Sequence, residues 1–194
     1  MSAQNSRETL LKFFDERRVL GISGASGSGK SFFARRLCSD FGGVLQREGV
    51  RQWLEDKPQL TYSSIPPDQF AQLQLHLLEC FEKSTATVWD RTPLDCLVYI
   101  YRASNHVDLD SFRKRARAIL ARIEVLVFFP AHSRYLLEDG VRVVDFKHQV
   151  GIASKMYAEA VSSNLEDKVY VYDHWIGQDE NIELIARFIS DRLH

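Results

Sequence analysis

"GISGASGSGKS", residues 21–31, packs four glycines and four serines into eleven positions and closes on Lys30 and Ser31. Glycines this dense mark either a flexible connector or a backbone that must come close to something. The flanks decide. Before it, "RVLGIS" (18–23) is a short apolar run that reads as a buried strand; after it, Phe32, Phe33 and Leu37 share one side of a helix over 30–40. A linker needs neither flank, nor a lysine at a fixed offset. Gly24, Gly29, Lys30 and Ser31 fit G-x-x-x-x-G-K-[ST], the Walker A pattern, in the strand–loop–helix setting it requires. Residues Gly24, Ala25, Ser26, Gly27, Ser28 and Gly29 then form a cradle whose backbone N–H groups face phosphate oxygens. Lys30 is placed to bridge the β and γ phosphates, and the Ser31 hydroxyl to ligate Mg²⁺.

The rest of the chain alternates in the same way. Short apolar or β-branched runs at 42–46, 85–90, 123–130 and 168–173 read as further strands; helical spacing appears at 6–17, 48–54, 68–83, 94–103, 111–122, 151–164 and 181–193. Strands separated by helices imply a parallel sheet covered on both faces, so the expected fold is a three-layer α/β/α domain over 1–194, with 1–17 as an added N-terminal helix. The 194 residues are 45% apolar and 26% charged, enough for a core, and the net charge of −1 gives no general attraction to nucleic acid or anionic membrane. No apolar run is long enough for a bilayer, and residues 1–18 lack the apolar core of a secretory signal. Three cysteines (Cys38, Cys80, Cys96) without a C-x-x-C pair suit reduced thiols, so a cytoplasmic setting is expected. The chain has neither a G-x-S-x-G motif nor a Cys/His metal pattern.

Strand three ends in "VWDRTPLD", which carries two acidic residues and an arginine. Asp90 falls at the carboxyl edge of the sheet, where ligands bind in such folds. A carboxylate there can hold a Mg²⁺-bound water or take a proton from an incoming hydroxyl; it can also cap a helix. Arg91 can reach a phosphate or acceptor oxygen. Asp95, four residues on, can pair with Arg91 or share a substrate with it. The N-K-x-D motif of guanine-specific switches is missing; "NHVD" (105–108) lacks the lysine.

"GASGSGKS" together with "VWDRTPLDCLVYIYRA" resembles the kinase branch of P-loop proteins, and more narrowly the small AAA-labelled family related to the ribosylnicotinamide kinase domain and to nucleoside and nucleoside-monophosphate kinases. The resemblance runs over about 18–190 and includes Glu48 and Arg51 in "REGVRQWL", the helix "DQFAQLQLHLLE", and Asp139, Gly140 and Arg142 in "EDGVR". It implies strand order 2-3-1-4-5, ATP with Mg²⁺, and a lid over about 130–150 that closes on both substrates. Mg²⁺ would sit on Ser31 and Asp90, Arg134 and Arg142 would neutralise the transferring group from the lid, and Glu48, Arg51 and Asp95 would face the acceptor. The sequence departs from the pattern at His148, where an arginine is expected. The expected activity is ATP-dependent phosphoryl transfer to a nucleoside, nucleotide or related ribosyl acceptor. Two alternatives stand beside it. One is a kinase acting on a hydroxyl within DNA or RNA, drawn from the basic face of "SFRKRARAILAR" (111–122); the other is an ATP-binding switch without transfer.

Overall fold

The computed structural model describes residues 3–46, 49–55, 57–62, 64–132 and 145–193. In order they form α1 (Ala3–Asp15), β1 (Val19–Gly24), α2 (Lys30–Phe41), β2 (Leu45–Gln46), α3 (Gly49–Glu55), α4 (Pro67–Lys83), β3 (Val88–Asp90), α5 (Pro93–Tyr99), a 3₁₀ stretch (Ile100–His106), α6 (Leu109–Leu120), β4 (Ile123–Phe129), α7 (Phe146–Ser162), a 3₁₀ turn (Glu166–Lys168), β5 (Val169–Val171) and α8 (Gln178–Leu193). The five strands run parallel in the order β2-β3-β1-β4-β5, as expected.

β4 shows why the sheet is central. Its residues alternate in direction: Leu126 and Phe128 enter the core under α4–α7, while Val125, Val127 and Phe129 enter the core under α1, α2 and α8. A strand apolar on both sides must be covered on both faces. α1 belongs to the second layer, with Leu10, Phe13 and Phe14 buried beside Ile185 and Ile189 of α8. No described helix is long and apolar enough to cross a membrane.

Several boundaries differ from the sequence reading. The strand expected at 42–46 shrinks to Leu45–Gln46, because Gly42 adopts φ 77° and caps α2, donating its N–H to Cys38 O. The helix expected at 94–103 ends at Tyr99, and the 3₁₀ stretch that follows is kinked at Ala103. The helix expected from 151 starts at Phe146, capped by the Asp145 carboxylate accepting the Lys147 N–H. Residues 146–150 of the expected lid are therefore helix; 133–144 lie outside the described residues.

Candidate active site

The phosphate loop is built by the junction of β1 with β4. Gly24 takes φ 131°, and a Cβ there would sit 2.0 Å from Phe129 O. The Ala25 N–H donates to that same carbonyl at 3.1 Å. Gly27 (φ 69°) and Gly29 (φ 94°) then carry the chain round to the N-terminus of α2. The Ser28 hydroxyl closes the turn on Ala25 O at 2.7 Å. The buried Lys30 ammonium lies over the loop, donating to Gly24 O at 3.0 Å, to Ala25 O, and to Ser28 Oγ at 3.4 Å. Loop residues 27–32 with Asp90 and Arg91 enclose a cavity of about 110 Å³. Asp90 is buried at the end of β3, registered against Ile22 of β1.

Arg91 is held by an unusual local structure. It takes φ 73°, and its N–H donates to Ile22 O at 3.0 Å. Its guanidinium donates to Asp95 Oδ1 at 3.0 Å. The other oxygen of Asp95 accepts from Ser23 Oγ at 2.7 Å and Thr92 N at 3.1 Å. Thr92 caps α5 in a capping box with Asp95. Because the Ser23 proton goes to Asp95, the Thr92 hydroxyl donates to Ser23 across their 2.7 Å contact. Asp95 thus fills both oxygens with protein donors and acts as the post that orients Arg91.

Arg91 also lines a second, deeper pocket, among Tyr62, Gln74, Leu77, Phe81 and Tyr99. At about 20 Å³ it holds little more than one water. The Gly49 and Val50 end of α3 forms one wall, and a ligand larger than a water requires the lining to part. Tyr62 meets Tyr99 and Phe70 edge-on, and burial raises its phenol pKa. Gln74 is 2% exposed and lines the cavity, and its amide makes no hydrogen bond among the described residues. Sequence reading overlooked it, although a signal existed: Gln74 falls on the apolar face of α4 with Phe70, Leu77, Leu78 and Phe81.

No family profile and no curated protein matches the chain. Solved structures do. The chain is similar to NadR protein in complex with NR (TM-score 0.65, 15% identity, covering 89% of this chain and 52% of that one). It is similar also to NadR protein in complex with NAD and AMP-PNP (TM-score 0.65, 16% identity, 89% and 49%). It therefore spans about half the length of the NadR chains. A third similar structure is deoxyadenosine kinase from M. mycoides with bound dCTP (TM-score 0.62, 15% identity, 89% and 98%). The chain has the fold of the P-loop nucleoside kinases.

On this P-loop kinase fold the remaining expected residues distribute unevenly. Lys30, Ser31, Asp90 and Arg91 share one cavity. Glu48, Arg134 and Arg142, with Asp139 and Gly140, lie outside the described residues, as does the side chain of Arg51 on α3. His148 is exposed on the first turn of α7. The basic face of α6 is largely engaged within the protein. Arg115 bonds Glu82 at 2.7 Å, Arg117 bonds Glu159 at 3.2 Å, and Arg113 pairs with Asp110 and Tyr101. Just beyond α6, Arg122 grips Phe81 O and Ser84 O at the end of α4. Beyond β5, Trp175 is 77% exposed beside His132. Burial lowers the pKa of neighbouring His174, whose Nε2 lies 3.1 Å from Pro130 O. Among the described residues no group of three His, Cys, Asp or Glu is arranged to hold a metal by itself.

Proposed function

We propose that this protein is an ATP-dependent kinase that transfers the γ-phosphoryl group to a hydroxyl of a nucleoside or related ribosyl compound. One observation carries this reading: Arg91 lines both the phosphate cavity and the Gln74 pocket, with Asp90 beside it. A donor phosphate and an acceptor hydroxyl held in these two cavities meet at Arg91.

The roles follow from the chemistry of each group. The loop amides, the α2 N-terminus and Lys30 hold the triphosphate. Ser31 and Asp90 supply hard oxygen donors at one cavity, which suits Mg²⁺, and a bound Mg²⁺ would neutralise charge on the phosphate oxygens. Asp90 takes the proton of the acceptor hydroxyl as its oxygen bonds to the γ-phosphorus and the bond to the bridging oxygen breaks, leaving ADP. Arg91, held by Asp95, neutralises charge on the transferring group. Arg134 and Arg142 are proposed to join it, and Glu48 and Arg51 to contact the sugar.

The acceptor pocket favours a nucleoside over a nucleotide. Arg91 is the only cation among its described lining residues. The Gln74 amide offers a donor and an acceptor side by side on an otherwise apolar, aromatic wall. That pairing suits the edge of a base, or a carboxamide-bearing ring. Trp175 offers an exposed face on the donor side, suited to stacking on adenine. The test is an acceptor panel with γ-³²P-ATP and Mg²⁺: ribo- and deoxyribonucleosides, their monophosphates, and duplex DNA. Label should move to one or more nucleosides. Label on monophosphates or polynucleotide alone, or release only as inorganic phosphate, would refute the proposal.

A further inference from the structure

α7 buries one stripe: Gln149, Ala153, Met156 and Ala160, at the i, i+4, i+7, i+11 spacing of a helix face. Three of the four are apolar, and the packing alone would accept a leucine or methionine at the first position. Instead a glutamine stands there, 3% exposed, at the cost of removing a polar amide from water. Its Oε1 accepts the Ser26 N–H at 3.0 Å. Ser26 lies in the first half of the phosphate loop, immediately before the residues that line the phosphate cavity. The Gly24–Ala25 end of that half is already fixed, through the Ala25 N–H on Phe129 O.

We propose that Gln149 is a positioning residue for the ATP phosphates, which pins the Ser26 amide so that the following loop amides stay aimed into the cavity. The residue must accept a hydrogen bond and must carry no charge. A carboxylate would accept the Ser26 N–H more strongly, but it would stand beside the site of a polyanion. An aliphatic side chain would pack on Met156's side of α7 and release the loop. The inference rests on the phosphate-loop reading and adds to it a residue 123 positions further along the chain.

The test measures binding of ATP·Mg²⁺ and ADP·Mg²⁺ by calorimetry, and steady-state transfer, for the full chain and for Gln149→Leu, Gln149→Met and Gln149→Glu. Thermal unfolding of each variant checks the fold. Loss of one neutral hydrogen bond should weaken ATP binding roughly three- to tenfold in the leucine and methionine variants, leaving the acceptor KM unchanged. Gln149→Glu should weaken ATP more than the leucine variant does, and ATP more than ADP, since ATP carries the additional charge. A residue that merely packs would lower the melting temperature without separating ATP from acceptor, or ATP from ADP. Unchanged ATP affinity in folded Gln149→Leu or Gln149→Met, or equal losses for ATP and ADP in Gln149→Glu, overturns the inference alone. Absence of ATP·Mg²⁺ binding by the unaltered protein overturns it together with the kinase reading.

Discussion

Asp95→Ala separates a post from a ligand. Asp95 is buried and its two oxygens receive Arg91, Ser23 and Thr92. Removing the carboxylate leaves a guanidinium only 17% exposed without this partner, strips two neutral donors of their acceptor, and opens the capping box of α5. Breaking a buried ion pair from one side costs about 3–5 kcal/mol, because the remaining charge stays desolvated. For a chain of 194 residues, that corresponds to roughly 6–20 °C in melting temperature. Asp95→Asn keeps one oxygen for Ser23 and Thr92 while turning an NH₂ toward Arg91. It should lose less stability than alanine but a similar share of transfer, because Arg91 loses its anchor in both. Differential scanning calorimetry and acceptor-dependent kinetics read the two effects. A melting temperature within about 2 °C of the unaltered protein, with a raised acceptor KM and unchanged kcat, would show Asp95 touching the substrate directly and refute this reasoning.

Three further outcomes are expected. Gly24→Ala should destabilise by roughly 2–6 kcal/mol, from left-handed backbone strain plus the clash with Phe129 O, and urea unfolding would show it. Gln74→Leu should leave urea stability equal or raised while lowering nucleoside kcat/KM roughly 10- to 100-fold, the worth of two hydrogen bonds; an unchanged kcat/KM would exclude Gln74 from acceptor recognition. His174 has a folded-state pKa below the ordinary value of about 6.5, chiefly through burial, so below that pH the unfolded chain binds a proton that the folded chain resists. Its contribution is therefore a loss of stability as pH falls from about 6.5 toward the folded pKa. His174→Phe should flatten the fall in melting temperature between pH 7.5 and 5.5, and an unaltered slope would contradict this.

What was legible in the sequence is what local chemistry dictates. The cradle at 24–31 announces itself because every residue of it is adjacent and the glycines have no other local purpose. β4 is equally plain, since a seven-residue run with only Glu124 polar, and apolar on both faces, fits the inside of a sheet. The start of α7 was hidden because "FKHQV" shows little apolar periodicity, yet Asp145 supplies the cap. Strand two is shorter than its sequence suggests because Gly42, next to the apolar Val44 and Leu45, serves as the left-handed cap of α2. The Arg91–Asp95 pair is legible from its four-residue spacing, whereas the Ser23 bond to Asp95 is not, because Ser23 lies 72 residues away. Gln74 and Gln149 went unread for a shared reason. Each is a polar residue in an apolar stripe, and its meaning depends on which cavity or loop the fold brings to it.

Calorimetric titration of the unaltered protein and of Lys30→Ala with ATP, with and without Mg²⁺, bears most directly on the phosphate cradle. Magnesium-dependent binding is expected of the unaltered protein, with its loss, or a fall of at least about 100-fold, when the ammonium inside the 24–31 loop is removed. Equal affinity in the two proteins, or no binding by either, would contradict it.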